Sequence, residues 1–219
     1  MILLALDTAG ADCAVALYDS ERDNLLSCVS ETIGRGHAER LMGMVDAALD
    51  TAGLTLEHVG RVAVTVGPGS FTGIRVGLAA ARGLALGLGV ECVGIGTLPV
   101  LAADWRKRHG RGPVLAAMDA KRGEVYAQCF DAAGHPFADP GLLSLDDFLR
   151  LAGDWQGAIA GSGRALMGEE PMPDHFPIAE VARLGAAAPY SGKPKPLYLR
   201  GPDAKPQTGF AVERVGDHA

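Results

Sequence analysis

GPGSFTGIRVG, residues 67–77, sets a proline and four glycines directly ahead of a long apolar stretch. Such a string is either a phosphate-binding loop or a sharp turn into a helix. A Walker-type loop needs a Lys after its last glycine to reach phosphate, and then a hydroxyl for magnesium. Here Gly73 is followed by Ile74 and Arg75. The dinucleotide fingerprint fails by one residue, because Gly67, Gly69 and Gly73 read G-x-G-x-x-x-G. Its ribose-binding acid belongs near the end of the next strand, whereas Glu91 stands near that strand's start. What remains is a turn and helix entry. Pro68 and its glycines make the bend, and Ser70 or Thr72 caps the first helical turn. A helix N-terminus attracts anions in general and names no ligand.

The helix that follows carries Gly73, Gly77 and Ala81 at four-residue spacing, with Ala80, Gly83, Ala85 and Gly87 nearby. Glycine inside a helix costs roughly 0.5–1 kcal/mol against alanine, so several in one helix need a reason. A face of small residues lets a neighbour approach closer than the usual 8–10 Å or so between helices. The neighbour is either another part of this chain or a partner, and the pattern leaves both open.

Outward from this stretch, residues 2–7, 13–18 and 25–31 are short apolar runs joined by tight turns, which predicts an antiparallel trio of strands. Residues 37–52 repeat apolar positions at Leu41, Met44, Val45, Ala48, Leu49 and Ala52, an amphipathic helix that Gly53 ends. A buried strand at 62–66 leads into the quoted turn, and its helix runs to about Gly87. A strand at 90–95 and a helix at 98–107 close this half. The second half restarts at Val114, and MDAKRGEVYAQCFD (118–131) parallels LDTAGADCAVALYD (6–19). Asp7 and Asp119 each end an apolar run, and each has a second Asp twelve residues on. The parallel is either chance likeness of two hairpins or the mark of an α/β fold made of a duplicated β-β-β-α-β-α unit. The second copy is shortened to a helix near 144–151, a strand at 158–160 followed by Gly-Ser-Gly, and a helix near 178–187. The expected division is 1–108, 109–199 and a tail at 200–219 without fixed structure, with PLYLR (196–200) as a last docked segment.

Composition narrows the function. The 219 residues are 48% hydrophobic, enough for a sizeable core, and the formal net charge is −6. An acidic chain is a poor stand-alone binder of nucleic acid, because affinity there comes from clustered Lys and Arg. The one basic run, residues 106–111, reads as a solvated helix end. Cys13, Cys28, Cys92 and Cys129 lie far apart with no C-x-x-C pair, which suits buried thiols in a reducing cytoplasm better than metal or redox chemistry. The N-terminus meets Asp7 after a short apolar run and reads as a strand, not a leader. The most apolar window, 76–96, is broken by Arg82 and Glu91, so no membrane span is expected.

Four segments together carry a resemblance: GPGSFTGIRVGLAAARGLA (67–85), LALDTAGADCAVAL (4–17), HAERLMGMVDAAL (37–49) and MDAKRGEVYAQCF (118–130). They resemble the TsaB (YeaZ) family, bacterial proteins of threonylcarbamoyladenosine synthesis in tRNA. The likeness covers most of residues 1–130 and returns weakly at Gly161-Ser162-Gly163 and at PLYLR. It implies the actin/Hsp70/sugar-kinase (ASKHA, ribonuclease H-like) fold. It also implies a non-catalytic partner of TsaD, the related subunit that transfers the threonylcarbamoyl group to the adenosine beside the anticodon. A TsaE-type ATPase completes the set. ATP is then used by the complex, with none assigned to this chain, and tRNA is reached only through the complex. The chain alone is expected to form a homodimer. The alternative is a stand-alone kinase or ATPase of the same fold.

The resemblance also assigns residues. TsaD-like relatives carry a metal-binding H-x-x-x-H on the helix after the third strand, a spacing that puts two imidazoles on one face. Here the second position is Leu41, so His37 is expected to be a surface or interface residue and no metal or catalytic residue is assigned. In this fold the turn between the first two strands of each half cradles phosphates. Asp7, Thr8, Asp119 and Lys121 fall at the corresponding places, Gly161-Ser162-Gly163 resembles part of the adenosine-side loop, and Asp7, Thr8, Asp119, Lys121, Gly161 and Gly163 are expected to form a vestigial nucleotide cleft. The expected partner interface combines His37, Leu41, Met44 and Ala48 of one helix with Gly73, Val76, Gly77, Ala80, Ala81 and Leu84 of the next.

Overall fold

The computed structural model describes residues 1–170 and 174–200. The expectation of an unstructured tail, past Arg200, lies outside the described residues. Strands β1 (Ile2–Asp7), β2 (Asp12–Asp19) and β3 (Asn24–Thr32) form the antiparallel trio, and β4 (Val59–Gly67) and β5 (Glu91–Gly96) extend it in parallel. The order is β3-β2-β1-β4-β5. Side chains alternate across each strand, so β1 sends Leu4 and Leu6 to one face and Leu3 and Ala5 to the other.

Helices α1 (His37–Ala52) and α2 (Phe71–Leu88) cover the Leu4/Leu6 face. Leu41, Met44, Val45 and Ala48 of α1 are buried there, and Gly53 stops the helix in a left-handed conformation at φ 64°. Ser70 caps α2 by accepting from the Gly73 amide at 3.1 Å. By length and composition α2 passes for a membrane-crossing helix. Its Ile74, Leu78, Ala81 and Ala85 are instead buried against the sheet.

Helix α3 (Thr97–His109) leads to a second sheet built from β6 (Val114–Lys121), β7 (Glu124–Phe130), β8 (Gly141–Ser144) and β9 (Ala158–Ala160), in the order β8-β7-β6-β9. The pairings are antiparallel, antiparallel and parallel, repeating β3-β2-β1-β4. Helix α4 (Leu145–Asp154) stands where α1 stands in the first copy, and a short 3-10 segment, Ser162–Met167, follows β9 as α2 follows β4. The fold is therefore the duplicated actin-like unit with a shortened second copy. The basic end of α3 is paired within the chain: Arg106 donates to Ala132 O, Lys107 to Glu180 and Arg108 to Asp104.

The expected division at 108/109 needs amending. Helix α5 (Ile178–Ala187) returns to the first sheet and packs on β1, β2 and β4. Ala5, Ala14, Ala16 and Ala63 make that face shallow, and Gly185 of α5 sits where a Cβ would overlap that of Ala63. Residues 194–198 then strap back over β4 and α2, with the Leu197 amide donating to Val66 O at 2.8 Å. The thiols also differ from expectation: Cys13 and Cys92 are buried, but Cys28 is exposed on β3.

The glycines of α2 divide into two groups. A Cβ on Gly73 would overlap the carbonyl oxygen of Thr8, and one on Gly77 would overlap Thr8 Oγ1. These two let the β1–β2 turn lie against the helix backbone. A Cβ on Gly83 or Gly87 would meet nothing within 4 Å. Gly73→Ala and Gly77→Ala should therefore destabilise the chain by about 1–3 kcal/mol or more through overpacking. Gly83→Ala should stabilise it by roughly 0.5–1 kcal/mol through helix propensity. Urea midpoints of the three variants check both signs.

Candidate functional site

The first pole of the cleft is the β1–β2 turn. Asp7 closes β1 and is fully buried. Its Oδ1 accepts from Thr65 Oγ1 at 2.6 Å and from the Ala9 amide at 3.0 Å, while Oδ2 has no partner among the described residues. Burial pushes this carboxyl up to about 6, against the opposing pull of Thr65 and Ala9. Thr8 donates its hydroxyl to Gly73 O at 2.7 Å, and the Ser70 amide donates to Ala9 O at 2.7 Å. On the other side, a Cβ on Gly10 would come 3.2 Å from the buried Phe176 ring and 3.3 Å from Asp174 O. The turn is enclosed between α2 and the segment 174–176. Its Ala9 amide is used by Asp7 and Thr8 is buried, while Gly10, Ala11 and Asp12 keep part of their surface.

The second pole stays open. Asp119, near the end of β6, accepts from the Lys121 amide and from Lys121 Nζ, both at 2.7 Å. Partial burial raises Asp119, but the Lys121 contacts outweigh it and hold the carboxyl below the usual range. The Asp119 amide donates to Ser162 Oγ at 2.9 Å. Ser162 in turn gives its amide and hydroxyl to Asp174, at 2.7 and 2.6 Å. Burial raises Asp174, opposed by the two Ser162 bonds. Gly161, at φ 97°, and Gly163 lie flat on β6, where a Cβ on either would collide with Ala117. A cavity of about 450 Å³ flanks this network, lined among others by Ser162, Asp174, Trp105 and Arg164.

The structure thus brings Asp119, Lys121, Gly161 and Gly163 together, and Asp174 stands between this group and Gly10 of the turn that carries Asp7 and Thr8. Sequence reasoning missed Thr65, Asp174, His175 and Phe176. His175 Nδ1 lies 2.7 Å from Asp12 Oδ2, a contact across 163 positions that no local pattern announces. His37 is not a surface residue: it is 7% exposed, with Nε2 3.2 Å from Asp12 O. Among the described residues no group of three His, Cys, Asp or Glu could hold a metal ion.

The expected interface also needs correction. Leu41, Met44, Ala48, Gly73, Gly77 and Ala81 belong to this chain's own core and are not available to a partner. Val76, Ala80 and Leu84 keep part of their surface. Beside them α2 exposes Ala79, Gly83, Gly87 and Leu86, the last 78% open.

Residues 28–187 match the family model described as TsaD, tRNA N6-adenosine threonylcarbamoyltransferase. The chain is 41% identical over 126 residues to the tRNA threonylcarbamoyladenosine biosynthesis protein TsaB of Escherichia coli, covering 58% of this chain and 53% of that protein. It is 26% identical to the protein of the same name from Bacillus subtilis, covering 92% of this chain and 87% of that protein. The chain spans about half the length of the Escherichia coli relative and of two others like it. The solved structure of YeaZ from Pseudomonas aeruginosa aligns with a TM-score of 0.71 at 32% identity, over 85% of this chain and 91% of that one.

Asp7 makes the enclosure measurable. Its folded pKa, about 6, exceeds the ordinary value of 3.8, so between these pH values the folded state holds the proton more tightly than the unfolded state does. The group's contribution is fully present below pH ~4 and is lost as pH rises through ~6, a swing on the order of 3 kcal/mol. Asp7→Asn should remove that slope. The variant should melt several degrees higher than the parent at pH 8 and gain much less at pH 4.5. Paired thermal melts at the two pH values check it, and equal gains at both would contradict the buried-carboxylate assignment.

Proposed function

We propose that this chain, which belongs to the glycoprotease-like family of TsaD and TsaB/YeaZ proteins, is a supporting subunit in threonylcarbamoylation of tRNA. In this reading it works in the cytoplasm and binds a TsaD-type catalytic subunit, with a TsaE-type ATPase completing the assembly. ATP is consumed by the assembly and is not held by this chain. It forms a homodimer when alone. The names of its relatives supply the pathway. The observation that carries the supporting role is the filled β1–β2 turn, where Asp7 and Thr8 serve the packing of α2 rather than a substrate.

The partner surface follows from the corrected exposure. Val76, Ala80, Gly83 and Leu84 form a stripe of small and apolar groups on one shoulder of α2, and Leu86 projects beside it. A helix backbone can approach such a stripe closely, and the exposed glycine costs helix stability that a docking role accounts for.

Two variants test the two halves of the proposal in a reconstituted transfer assay with the TsaD-type and TsaE-type subunits and tRNA. Asp7→Asn should still support transfer at close to the parent rate. A folded Asp7→Asn chain that loses transfer would favour the kinase or ATPase alternative. Gly83→Arg should melt no lower than the parent, since the site is open. It should weaken co-purification with the TsaD-type subunit by about 100-fold, because a charge driven unpaired into a contact costs a few kcal/mol. Normal pairing by folded Gly83→Arg would remove this shoulder from the interface.

A further inference from the structure

The net charge of −6 conceals an uneven distribution. Segments 68–90 and 189–200 contain Arg75, Arg82, Lys193, Lys195 and Arg200, and no Asp or Glu. The fold lays the two segments together. Arg82 donates to Pro194 O, and the Leu197 amide donates to Val66 O. Lys193 and Lys195 are exposed on the strap, and Arg75 and Arg82 are exposed on α2. Glu91 is paired with Arg61, and Glu124 with Arg200 at the end of the second segment.

Two aromatic rings stand on the same face. Phe71 is 54% and Tyr198 44% exposed, with ring centroids 5.3 Å apart and planes tilted by 31°. Arg75 holds them in place. Its guanidinium lies 3.7 Å from the Phe71 centroid, and its Nε donates to Tyr198 Oη at 2.9 Å. Burial explains none of this, since a large open aromatic pair gains little from the core. At 100° per residue, Phe71, Arg75 and Arg82 fall on the shoulder of α2 roughly opposite Val76, Ala80 and Leu84. A ligand here leaves the partner stripe free.

We propose that this face binds single-stranded RNA directly, with Phe71 and Tyr198 stacking an unpaired base and Arg75, Arg82, Lys193 and Lys195 meeting phosphates. A positive groove beside exposed aromatic or guanidinium planes is how unstructured RNA is held without regard to sequence. An acidic protein segment would match the cations but would have no use for the open rings. The proposal goes beyond the supporting role, which leaves RNA to the partner, and it is tested on this chain alone.

The probe is a fluorescein-labelled 12-nucleotide oligoadenylate, titrated by anisotropy at about 50 and 150 mM salt. The full chain should bind it, with log affinity falling by about 0.7 per neutralised phosphate against log salt. Tyr198→Ala and Phe71→Ala should each weaken binding fivefold or more, and Tyr198→Phe should retain most of it. Lys193→Glu with Lys195→Glu, two exposed changes that leave the melting temperature unmoved, should weaken binding at least tenfold and flatten the salt slope. An abasic 12-mer should bind at least fivefold more weakly than oligoadenylate. Equal binding of the abasic strand would overturn the stacking assignment. Absence of RNA binding at the lower salt, or tighter binding of a 12-residue polyglutamate, would overturn the proposal in favour of a protein partner. In either case the assembly reading stands on its own test.

Discussion

The constraint on which the first half depends is the contact between the β1–β2 turn and the first two turns of α2. It exists because Gly69, Gly73 and Gly77 have no Cβ where one would strike Ala9 or Thr8. Thr8 Oγ1 then bonds Gly73 O, and the Ser70 amide bonds Ala9 O, so helix entry and turn are locked to each other. Several features follow. Asp7 is sealed behind the turn, α2 is held close enough to bury Ile74 and Leu78, and its other glycines are left facing outward. The glycine-rich string that looks like a phosphate loop packs the helix entry against the β1–β2 turn.

Much of this was legible in residues 67–88, and the reason is local physics. A strand, a glycine-proline bend, a Ser cap and a helix are all short-range features, and Ser70 caps as its place in the string suggests. The amphipathic period of residues 37–52 and the three-residue strand at 158–160 were equally readable. The duplicated hairpin was visible as two aspartates ending two apolar runs, and the second sheet repeats the first in its pairing.

The rest depends on contacts between distant parts of the chain. Which glycines of α2 face inward is set by Thr8, 65 positions away. Leu41 and Ala81 read as small or apolar and therefore equally suited to a core or an interface; the sheet claims both. The return of α5 to the first sheet, and the roof that Phe176 places over Gly10, have no signature in their own sequence. Net charge says nothing of distribution: −6 is a sum in which segments 68–90 and 189–200 hold Arg and Lys and no acid.

Helix α2 thus presents three separate faces: an inner face packed on the first turn, one shoulder of part-exposed small residues, and another that carries the Arg75 cluster. The central claim is that the first turn is closed by the chain itself. Hydrogen exchange at the Thr8, Ala9 and Gly73 amides tests it most directly, with and without millimolar magnesium-ATP. The account predicts exchange only through global unfolding, at rates that nucleotide leaves unchanged. Fast exchange through local opening at these amides, slowed by magnesium-ATP, would show a working phosphate site and contradict it.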